Sequence, residues 1–280
     1  MKLVTDVSLT SRPAAVAVGW TPAALFAAGE PGAWFDPSAP GALFQDAAAT
    51  IPVTGPDQPV GCMLDLSGRG CHATQDDPAA RPMYRRFGDI HSLEFDGLDD
   101  MLSTPGIDLT QTPQLGAFAG VRKPADIFGP YVGQGDWTAG DLGAWDLAVG
   151  ASFPGSTPVL RDTYRGGYRQ MSDFNTVVGR PFSGQRDDVH GVYFDMSATG
   201  QVAKIGLRIN GAPPPTVALA GDDATGPGFR NDPVVIGARN GSFATICLHG
   251  LVIRGASFTP SEIAQTEAYL ALRSGVTLSL

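Results

Sequence analysis

The sequence predicts an all-β fold: a two-sheet antiparallel sandwich of the jelly-roll kind, with a short N-terminal helix and one C-terminal helix. Its 280 residues include 36 Gly and 23 Pro, and only 17% are charged. That balance favours many short strands separated by turns over helices. Apolar and polar residues alternate in several runs, as they do in strands that bury one face. No repeat of solenoid or propeller length occurs, so one large domain is expected.

Strands are predicted where alternation or an apolar run is bounded by turn residues. In 201–210, Ile205 and Leu207 fall on one face, and Asn210-Gly211 then turns the chain. The segment 244–254 is nearly all apolar, as expected of a strand covered on both faces. The predicted strands are 33–35, 60–65, 71–75, 90–96, 99–103, 114–122, 144–152, 158–164, 174–179, 189–196, 201–210, 215–220, 233–238 and 244–254.

Capping signals predict the two helices. Thr21-Pro22 begins a short helix that runs to Ala28 before Gly29. Thr259-Pro-Ser-Glu262 is a capping box with proline at the first helical position, and Gly275 ends that helix.

Residues 1–20 are predicted to be a separate arm, and 21–280 one domain. The arm alternates as a strand would, and an apolar arm ahead of a domain is expected to dock on that domain or on a neighbouring subunit. The arm lacks the compact apolar region of a secretion signal. We therefore expect synthesis in a reducing cytoplasm without export. The cysteines, Cys62, Cys71 and Cys247, are too few for a disulfide framework; a Cys62–Cys71 bridge is the less favoured alternative.

Charge and hydropathy exclude two classes of partner. The formal net charge is −9 and the basic residues are scattered, whereas nucleic-acid binding needs clustered Lys and Arg. No apolar run is long enough to cross a bilayer, so no membrane insertion is expected.

Several phrases occur in a fixed order along the chain. They are Ala33-Trp-Phe-Asp-Pro-Ser38, Leu43-Phe-Gln-Asp46, Asp65-Leu-Ser-Gly-Arg-Gly-Cys-His-Ala-Thr-Gln75, Arg81-Pro-Met-Tyr84, Leu93-Glu-Phe-Asp-Gly-Leu-Asp-Asp-Met-Leu102, Gly250-Leu-Val-Ile-Arg-Gly255 and Thr259-Pro-Ser-Glu-Ile263. Over about residues 22–280 this set resembles concanavalin A-like, laminin G-like jelly-roll domains of tailed bacteriophages, prophages and gene-transfer-agent-like particles. The sequence departs from that pattern at Cys71, where Asn is usual, and region 125–185 has no counterpart.

The resemblance implies a structural component of a phage-like particle, such as a tail fibre, spike, head fibre or decoration protein. Such modules often bind cell-surface glycans, so host adhesion is the expected role and no enzymatic activity is expected. The arm would contact other particle proteins, and a homo-oligomer is expected. The location would be the virion or phage-like particle, assembled in the bacterial cytoplasm. A purely structural decoration protein without a ligand remains an alternative.

Glycan binding would need aromatic rings for sugar faces and polar groups for hydroxyls. The candidates are Tyr131, Asp136 and Trp137, with Tyr164 and Tyr168 around Arg165-Gly-Gly167. They fall in or beside glycine-rich stretches that we interpret as loops, where binding residues concentrate. Trp145 lies in an apolar run and is interpreted as core.

The stretch Leu93–Leu102 predicts a hairpin with Asp96-Gly97 at its bend and carboxylates around it. Some glucanases of this fold carry Glu-x-Asp-x-x-Glu on one strand, so a glycoside hydrolase or lyase using Glu94 is a second alternative. The spacing argues against it, because Asp99 follows the turn and should be carried away from Glu94.

Calcium is the one cofactor that the sequence leaves open, since carboxylate oxygens suit it. The acidic groups are Asp96, Asp99 and Asp100, then Asp187-Asp188, then Asp222-Asp223. None has the spacing of an EF-hand, and exposed loops are the simpler interpretation. His249 lies inside an apolar strand and is expected to be a packed, hydrogen-bonded residue.

Overall fold

The predicted all-β sandwich is confirmed. The computed structural model describes residues 19–123, 129–136, 143–150, 164–170, 173–180, 187–214, 216–220 and 228–279. Two large antiparallel sheets face one another, and a helix near the C-terminus packs outside one of them. Among these residues no helix has the length and hydropathy to cross a membrane.

The strands are β1 (Gly32–Phe35), β2 (Leu43–Phe44), β3 (Cys62–Met63), β4 (Ala73–Thr74), β5 (Met83–Phe87), β6 (Ile90–Asp96), β7 (Leu102–Asp108), β8 (Gln114–Arg122), β9 (Gly129–Gln134), β10 (Trp145–Val149), β11 (Tyr164–Gln170), β12 (Asp173–Arg180), β13 (Asp187–Asp195), β14 (Ile205–Ile209), β15 (Thr216–Ala220), β16 (Asn231–Ile236), β17 (Ala238–Arg239), β18 (Ser242–Phe243) and β19 (Thr245–Arg254). The helices are α1 (Gln201–Lys204), α2 (Pro260–Ser274) and two 3₁₀ helices, Pro22–Phe26 and Pro78–Ala80.

Sheet A has the order β14-β13-β8-β19-β6-β5, and β1 pairs with β19 beyond the end of β6. Sheet B has the order β15-β12-β11-β10-β9-β16-β7-β4-β3-β2. The strands β17 and β18 form a separate two-stranded hairpin. Some neighbouring strands, such as β8 and β19 or β7 and β16, come from distant parts of the chain, which is the pattern of a sandwich whose connections cross between sheets.

The core lies between the two sheets and consists of inward-facing side chains from both. Phe35 and Phe95 of sheet A and Trp145 and Leu147 of sheet B are fully buried there. Burial of Trp145 confirms its interpretation as core. Burying a large apolar side chain stabilises a fold by roughly 1.5–3 kcal/mol, so this layer holds the sheets together.

A second apolar layer lies on the outer side of sheet A. Helix α2 and the 3₁₀ helix Pro22–Phe26 pack there on residues such as Phe118 and Val252. The predicted capping box is present: Thr259 Oγ1 accepts from the amide of Glu262 at 3.2 Å, and the Glu262 carboxylate accepts from the Thr259 amide at 2.7 Å. Gly275 ends α2 with a φ of 68°, as predicted.

The predicted hairpin at Asp96-Gly97 is wrong. The turn exists, with Gly97 at a φ of 80° and the Leu98 amide donating to Asp96 Oδ1 at 2.7 Å. However, β6 belongs to sheet A and β7 to sheet B, so the chain crosses between the sheets here. Phe95 and Leu102 are both buried in the same core. Alternation of apolar and polar residues indicates only that each strand has one buried face. Two strands in facing sheets show the same alternation as two strands paired in a hairpin.

Other differences are local. The helix after Thr21 is a 3₁₀ helix that ends at Phe26, and the Thr21 side chain makes no capping bond. Residues 201–204 are helical, so the strand predicted from 201 begins at Ile205. The strands β2, β5, β9 and β18 were not predicted, nor was β11 beyond its first residue.

All three cysteines are free in the structure. The predicted strand 158–164 falls largely outside the described residues, as does the arm at residues 1–18. The chain enters the described part beside α2, where the Trp20 and Tyr269 rings meet edge-on with centroids 6.3 Å apart.

Candidate ligand-binding clefts

Three of the predicted glycan-binding residues are core residues, so the expectation that they lie in loops is wrong. Tyr131 is in β9, Tyr164 and Tyr168 are in β11, and all three are fully buried. The glycines that suggested a loop serve close packing: a Cβ on Gly166 would lie 2.4 Å from a methyl carbon of Val192 in sheet A. The ring faces of the three tyrosines are therefore not exposed to solvent.

The hydroxyls of two of these tyrosines belong to a buried polar network between the sheets. Tyr131 pairs with His190 Nδ1 at 2.7 Å, and Tyr164 donates to Asp188 Oδ2 at 2.6 Å. Asn210 donates to Asp188 Oδ1 at 2.7 Å. Burial raises the pKa of both tyrosines well above the usual value and lowers that of His190 to about 3. The network therefore holds a neutral imidazole at neutral pH.

The remaining two candidates differ. Asp136 is half-buried beside the turn that joins β17 and β18, where the Asn240 side chain donates to its carboxylate. Trp137 lies outside the described residues. The structure therefore brings no exposed aromatic ring next to Asp136 within the part of the chain that it describes.

The acidic bend gathers three carboxylates. Oxygen atoms of Asp96, Asp99 and Asp100 lie within 4.8 Å of one another. Burial, reinforced by its acidic neighbours, raises the pKa of Asp100 to about 6, although the Asp96 amide donates to it at 3.0 Å. Glu94 is outside this group and is paired with Arg85 on β5. Calcium at the bend stays a prediction, and so does the alternative of a hydrolase or lyase that uses Glu94.

The second acidic pair is built into β13 and not into an exposed loop. Asp188 is fully buried in the network with Tyr164. Asp187 accepts from Arg122 at 2.8 and 2.7 Å and from His249 Nε2 at 3.0 Å. These carboxylates already bind donors from the protein, which argues against a calcium loop here. Asp222 and Asp223 lie outside the described residues.

Among the clefts on the described surface, three have a volume of about 310 Å³ each, near the lower end of the range for small-ligand sites. The aromatic cleft lies beside the N-terminal end of α2 and is lined by Gln114, Tyr193, Asp195, Ser257 and Phe258 among others. The loop cleft is lined by Tyr84, Arg86, His91 and the loops 37–41 and 53–56. The charged cleft is lined by Arg85, Glu94, Arg122, Cys247 and His249 among others.

The aromatic cleft presents an exposed ring on a rigid strand. Tyr193 in β13 is 39% exposed and pairs with Gly206 of β14. A Cβ on Gly206 would lie 1.7 Å from Tyr193 Cζ, so the ring lies across the backbone of β14 at this glycine. Among the described residues, only Phe87 is another strongly exposed aromatic side chain.

Hydrogen-bonding groups line the same cleft as this ring. Gln114 Nε2 donates to Asp195 Oδ2 at 2.9 Å, and the Ser197 amide donates to Asp195 Oδ1 at 3.0 Å. Burial alone would raise the pKa of Asp195, but the bonds from Ser197 and Gln114 outweigh it and lower the pKa. The cleft therefore combines an apolar ring face with a fixed carboxylate and an amide.

Tyr193 was not among the predicted ligand-binding residues. The signal was present, because Tyr193 lies between Val192 and Phe194 in the predicted strand 189–196 and so takes the outward position. Its neighbour Gly206 could not be predicted, because that contact depends on the pairing of β13 with β14.

The charged cleft offers little for nucleophilic chemistry. Burial, with Glu94 nearby, raises the pKa of Cys247 to about 11, so its thiol stays protonated at neutral pH. His249 is buried, and its two ring nitrogens lie 3.0 Å from the His91 carbonyl oxygen and from Asp187 Oδ1. This confirms the expectation of a packed, hydrogen-bonded histidine.

The sequence matches no protein-family model and no curated protein. Its fold is similar to solved structures. The botulinum neurotoxin serotype D binding domain aligns with a TM-score of 0.53 at 8% identity, over 77% of this chain and 51% of that chain. Trypanosoma rangeli sialidase in complex with sialic acid aligns with a TM-score of 0.51 at 13% identity, over 88% of this chain and 33% of that chain. At such identities the likeness shows the fold, a jelly-roll-like sandwich, and this chain spans about half of the toxin chain and a third of the sialidase chain.

Proposed function

We propose that this chain is a non-enzymatic glycan-binding sandwich that serves as a display or adhesion component of a phage-like particle. The observation that carries the glycan-binding part is the aromatic cleft, in which the exposed Tyr193 ring lies beside Asp195 and Gln114.

The chemistry of this cleft suits a sugar. A pyranose ring has an apolar face that packs on an aromatic ring and hydroxyls that bond to carboxylates and amides around it. Asp195 already accepts from Gln114 on Oδ2 and from the Ser197 amide and hydroxyl on Oδ1, so its Oδ2 can accept from one further hydroxyl, and Gln114 can both donate and accept. Because Tyr193 rests on β14 and Asp195 is already held by Gln114 and Ser197, little ordering is needed when a ligand binds.

The fold comparisons support the same function. The similar structures include a sialidase solved with sialic acid and a toxin receptor-binding domain with a TM-score of 0.51. A sandwich of this kind is therefore compatible with glycan recognition, while the residues that would do it here are this chain's own.

Replacing Tyr193 by alanine is expected to weaken glycan binding by about tenfold or more, since the stacking surface is lost. Tyr193→Phe keeps the ring and should retain most of the affinity. A glycan array followed by calorimetry on the best binder measures both. Phe87→Ala is the matched control, because Phe87 is exposed but lies outside the aromatic cleft, and its affinity should equal that of the wild type.

Two results would decide against the proposal. No binding at high glycan density would favour the alternative of a purely structural decoration protein. Turnover of a polysaccharide that is lost in Glu94→Gln would favour the hydrolase or lyase alternative.

The particle role rests on the ordered phrases and on the apolar arm. Residues of the ordered phrases hold α2 in place. Asp36 accepts from the Ser38 amide at 2.8 Å on one carboxylate oxygen and from Arg273 Nε of α2 at 2.8 Å on the other. Asp65 similarly accepts from the amides of Trp34 and Cys71 at 3.0 Å each. The ordered phrases therefore account for the stability of the sandwich, and the arm is the segment that we propose mediates assembly.

Deleting residues 2–20 is expected to abolish incorporation into particles while the domain stays folded. Co-purification with particles, read beside the circular dichroism and melting temperature of the truncated protein, measures the two effects separately. Unchanged incorporation would remove the arm from the assembly role.

A further inference from the structure

The loop cleft lies at the β5 edge of sheet A, where loops 37–41 and 53–56 face Tyr84, Arg86 and His91. Arg86 in β5 and His91 in β6 are cross-strand partners on the inner side of sheet A. Loops 37–41 and 53–56 form the opposite wall, which contains Pro37, Pro40 and Pro56. The wall is short and rich in proline, so it is stiff and the cleft is preformed.

The charge of this cleft differs from that of the rest of the chain. The protein has a net charge of −9, yet the residues that line the loop cleft include Arg86 and His91 and no Asp or Glu. The carboxylate beneath the wall, Asp36, is buried and bound by Ser38 and Arg273. The lining is therefore locally cationic in an acidic protein.

Arg86 is oriented by the backbone. Its Nε donates to the Gly88 carbonyl oxygen at 2.9 Å in the β5–β6 turn. In the described part of the chain no carboxylate lies within ion-pair distance of its guanidinium, whereas its neighbour Arg85 is paired with Asp57 and Glu94. The Nη groups of Arg86 are thus available for the two-point contact that a guanidinium makes with a carboxylate.

We propose that the loop cleft binds a small organic carboxylate of monosaccharide size, with Arg86 holding the carboxylate and Tyr84 and the proline wall packing on the carbon skeleton. This site goes beyond the proposed function and does not depend on it, because it shares no lining residue with the aromatic cleft. The carboxylate could come from a free organic acid or from an acidic sugar, and the test below separates these sources.

His91 supplies a reporter inside the cleft. Its Nδ1 lies 2.6 Å from the Tyr84 hydroxyl, and burial followed by the charge of Arg86 lowers its pKa. Asp36 and Asp89 oppose this shift, and Arg273 adds to it. A bound anion would stabilise the imidazolium, so the pKa of His91 should rise on binding.

The experiment is an NMR titration of the full-length protein that follows the His91 Hε1 resonance, with three probes: sodium glucuronate, sodium acetate and glucose. We expect glucuronate to shift this resonance saturably and glucose to leave it unchanged. Arg86→Gln should weaken glucuronate binding by about tenfold. Arg85→Gln is the matched control on the other face of β5. Arg122→Gln tests the charged cleft, because Arg86 lines that cleft as well. Both variants should bind glucuronate as the wild type does.

Each outcome bears on the proposal. Acetate binding as tightly as glucuronate supports a site for simple organic acids, and much tighter binding of glucuronate supports an acidic sugar. The proposal would be overturned if glucose bound with the same affinity as glucuronate, or if Arg86→Gln bound glucuronate as tightly as the wild type. It would also be overturned if Arg122→Gln lost as much glucuronate affinity as Arg86→Gln. The absence of any carboxylate-induced shift would overturn it as well. Failure here leaves the Tyr193 experiment unaffected, so the two proposals fail separately.

Discussion

Replacing Glu267 by alanine is expected to lower the free energy of unfolding by about 3–5 kcal/mol, the cost of breaking a buried ion pair from one side. Glu267 lies on α2 and is 1% exposed. Its two carboxylate oxygens accept from Arg208 of β14 at 2.7 and 3.0 Å. Burial raises the pKa of Glu267 even beside Arg208, so desolvation dominates at this pair. The alanine variant leaves the Arg208 charge partly buried without its partner.

Denaturant unfolding of the variant measures this loss, and two further proteins make the result specific. Leu272→Ala lies on the same helix at a position 65% exposed and should change stability by less than about 0.5 kcal/mol. The double variant Arg208→Met, Glu267→Leu removes both charges and should recover most of the loss. A Glu267→Ala protein as stable as the wild type would show that α2 is not held to sheet A by this pair.

The ion pair between Glu267 and Arg208 should also affect the aromatic cleft. Phe258 and Ile263 line that cleft from the α2 side, and Phe258 packs on Phe118 of sheet A with ring centroids 5.2 Å apart. Loosening α2 would move one wall of the cleft away from Tyr193. Glu267→Ala should therefore weaken glycan binding as well, even under conditions where the sandwich is still folded.

Replacing His190 by asparagine is expected to make the protein markedly less sensitive to acid. The folded-state pKa of His190 is about 3, against an unfolded value near 6.5. Below that unfolded value the unfolded chain takes up a proton that the folded protein does not, so the wild type loses stability as pH falls. The linkage relation gives a loss of about 3 kcal/mol from this one group between pH 7.5 and pH 4.5.

Unfolding measured across that pH range, for both proteins, tests the prediction. Asparagine can still bond to Tyr131 but cannot titrate, so the difference in stability between wild type and variant should shrink as pH falls. Other groups contribute equally to both curves and cancel in the difference. Parallel curves would mean that His190 does not carry the acid sensitivity.

Local signals were sufficient for α2 and for several strands. The capping box at Thr259 and Glu262 closes within four residues, so the sequence alone defines the start of α2. Strand β8 was predicted at 114–122 and occupies those positions. In both cases the residues that determine the element are neighbours in the sequence.

Non-local packing explains the errors. The Asp96-Gly97 turn was predicted, but whether the two flanking strands pair or separate depends on β19 and β16, which pair with β6 and β7. Gly166 and Gly167 suggested a loop because glycine is common in turns, yet the opposing Val192 makes glycine necessary within β11. Consequently Tyr164 and Tyr168 were placed on the surface when they are core residues.

The most direct test of the central claim, that this sandwich binds glycans at Tyr193, is an NMR map of the labelled protein with its best-binding glycan. We expect saturable shifts at the Tyr193 ring, at the backbone amide of its partner Gly206 and at the Gln114 side-chain amide. The buried rings of Tyr131 and Tyr164 should not respond. Shifts that spare Tyr193 and Gly206, or a glycan bound through another face of the protein, would contradict the account.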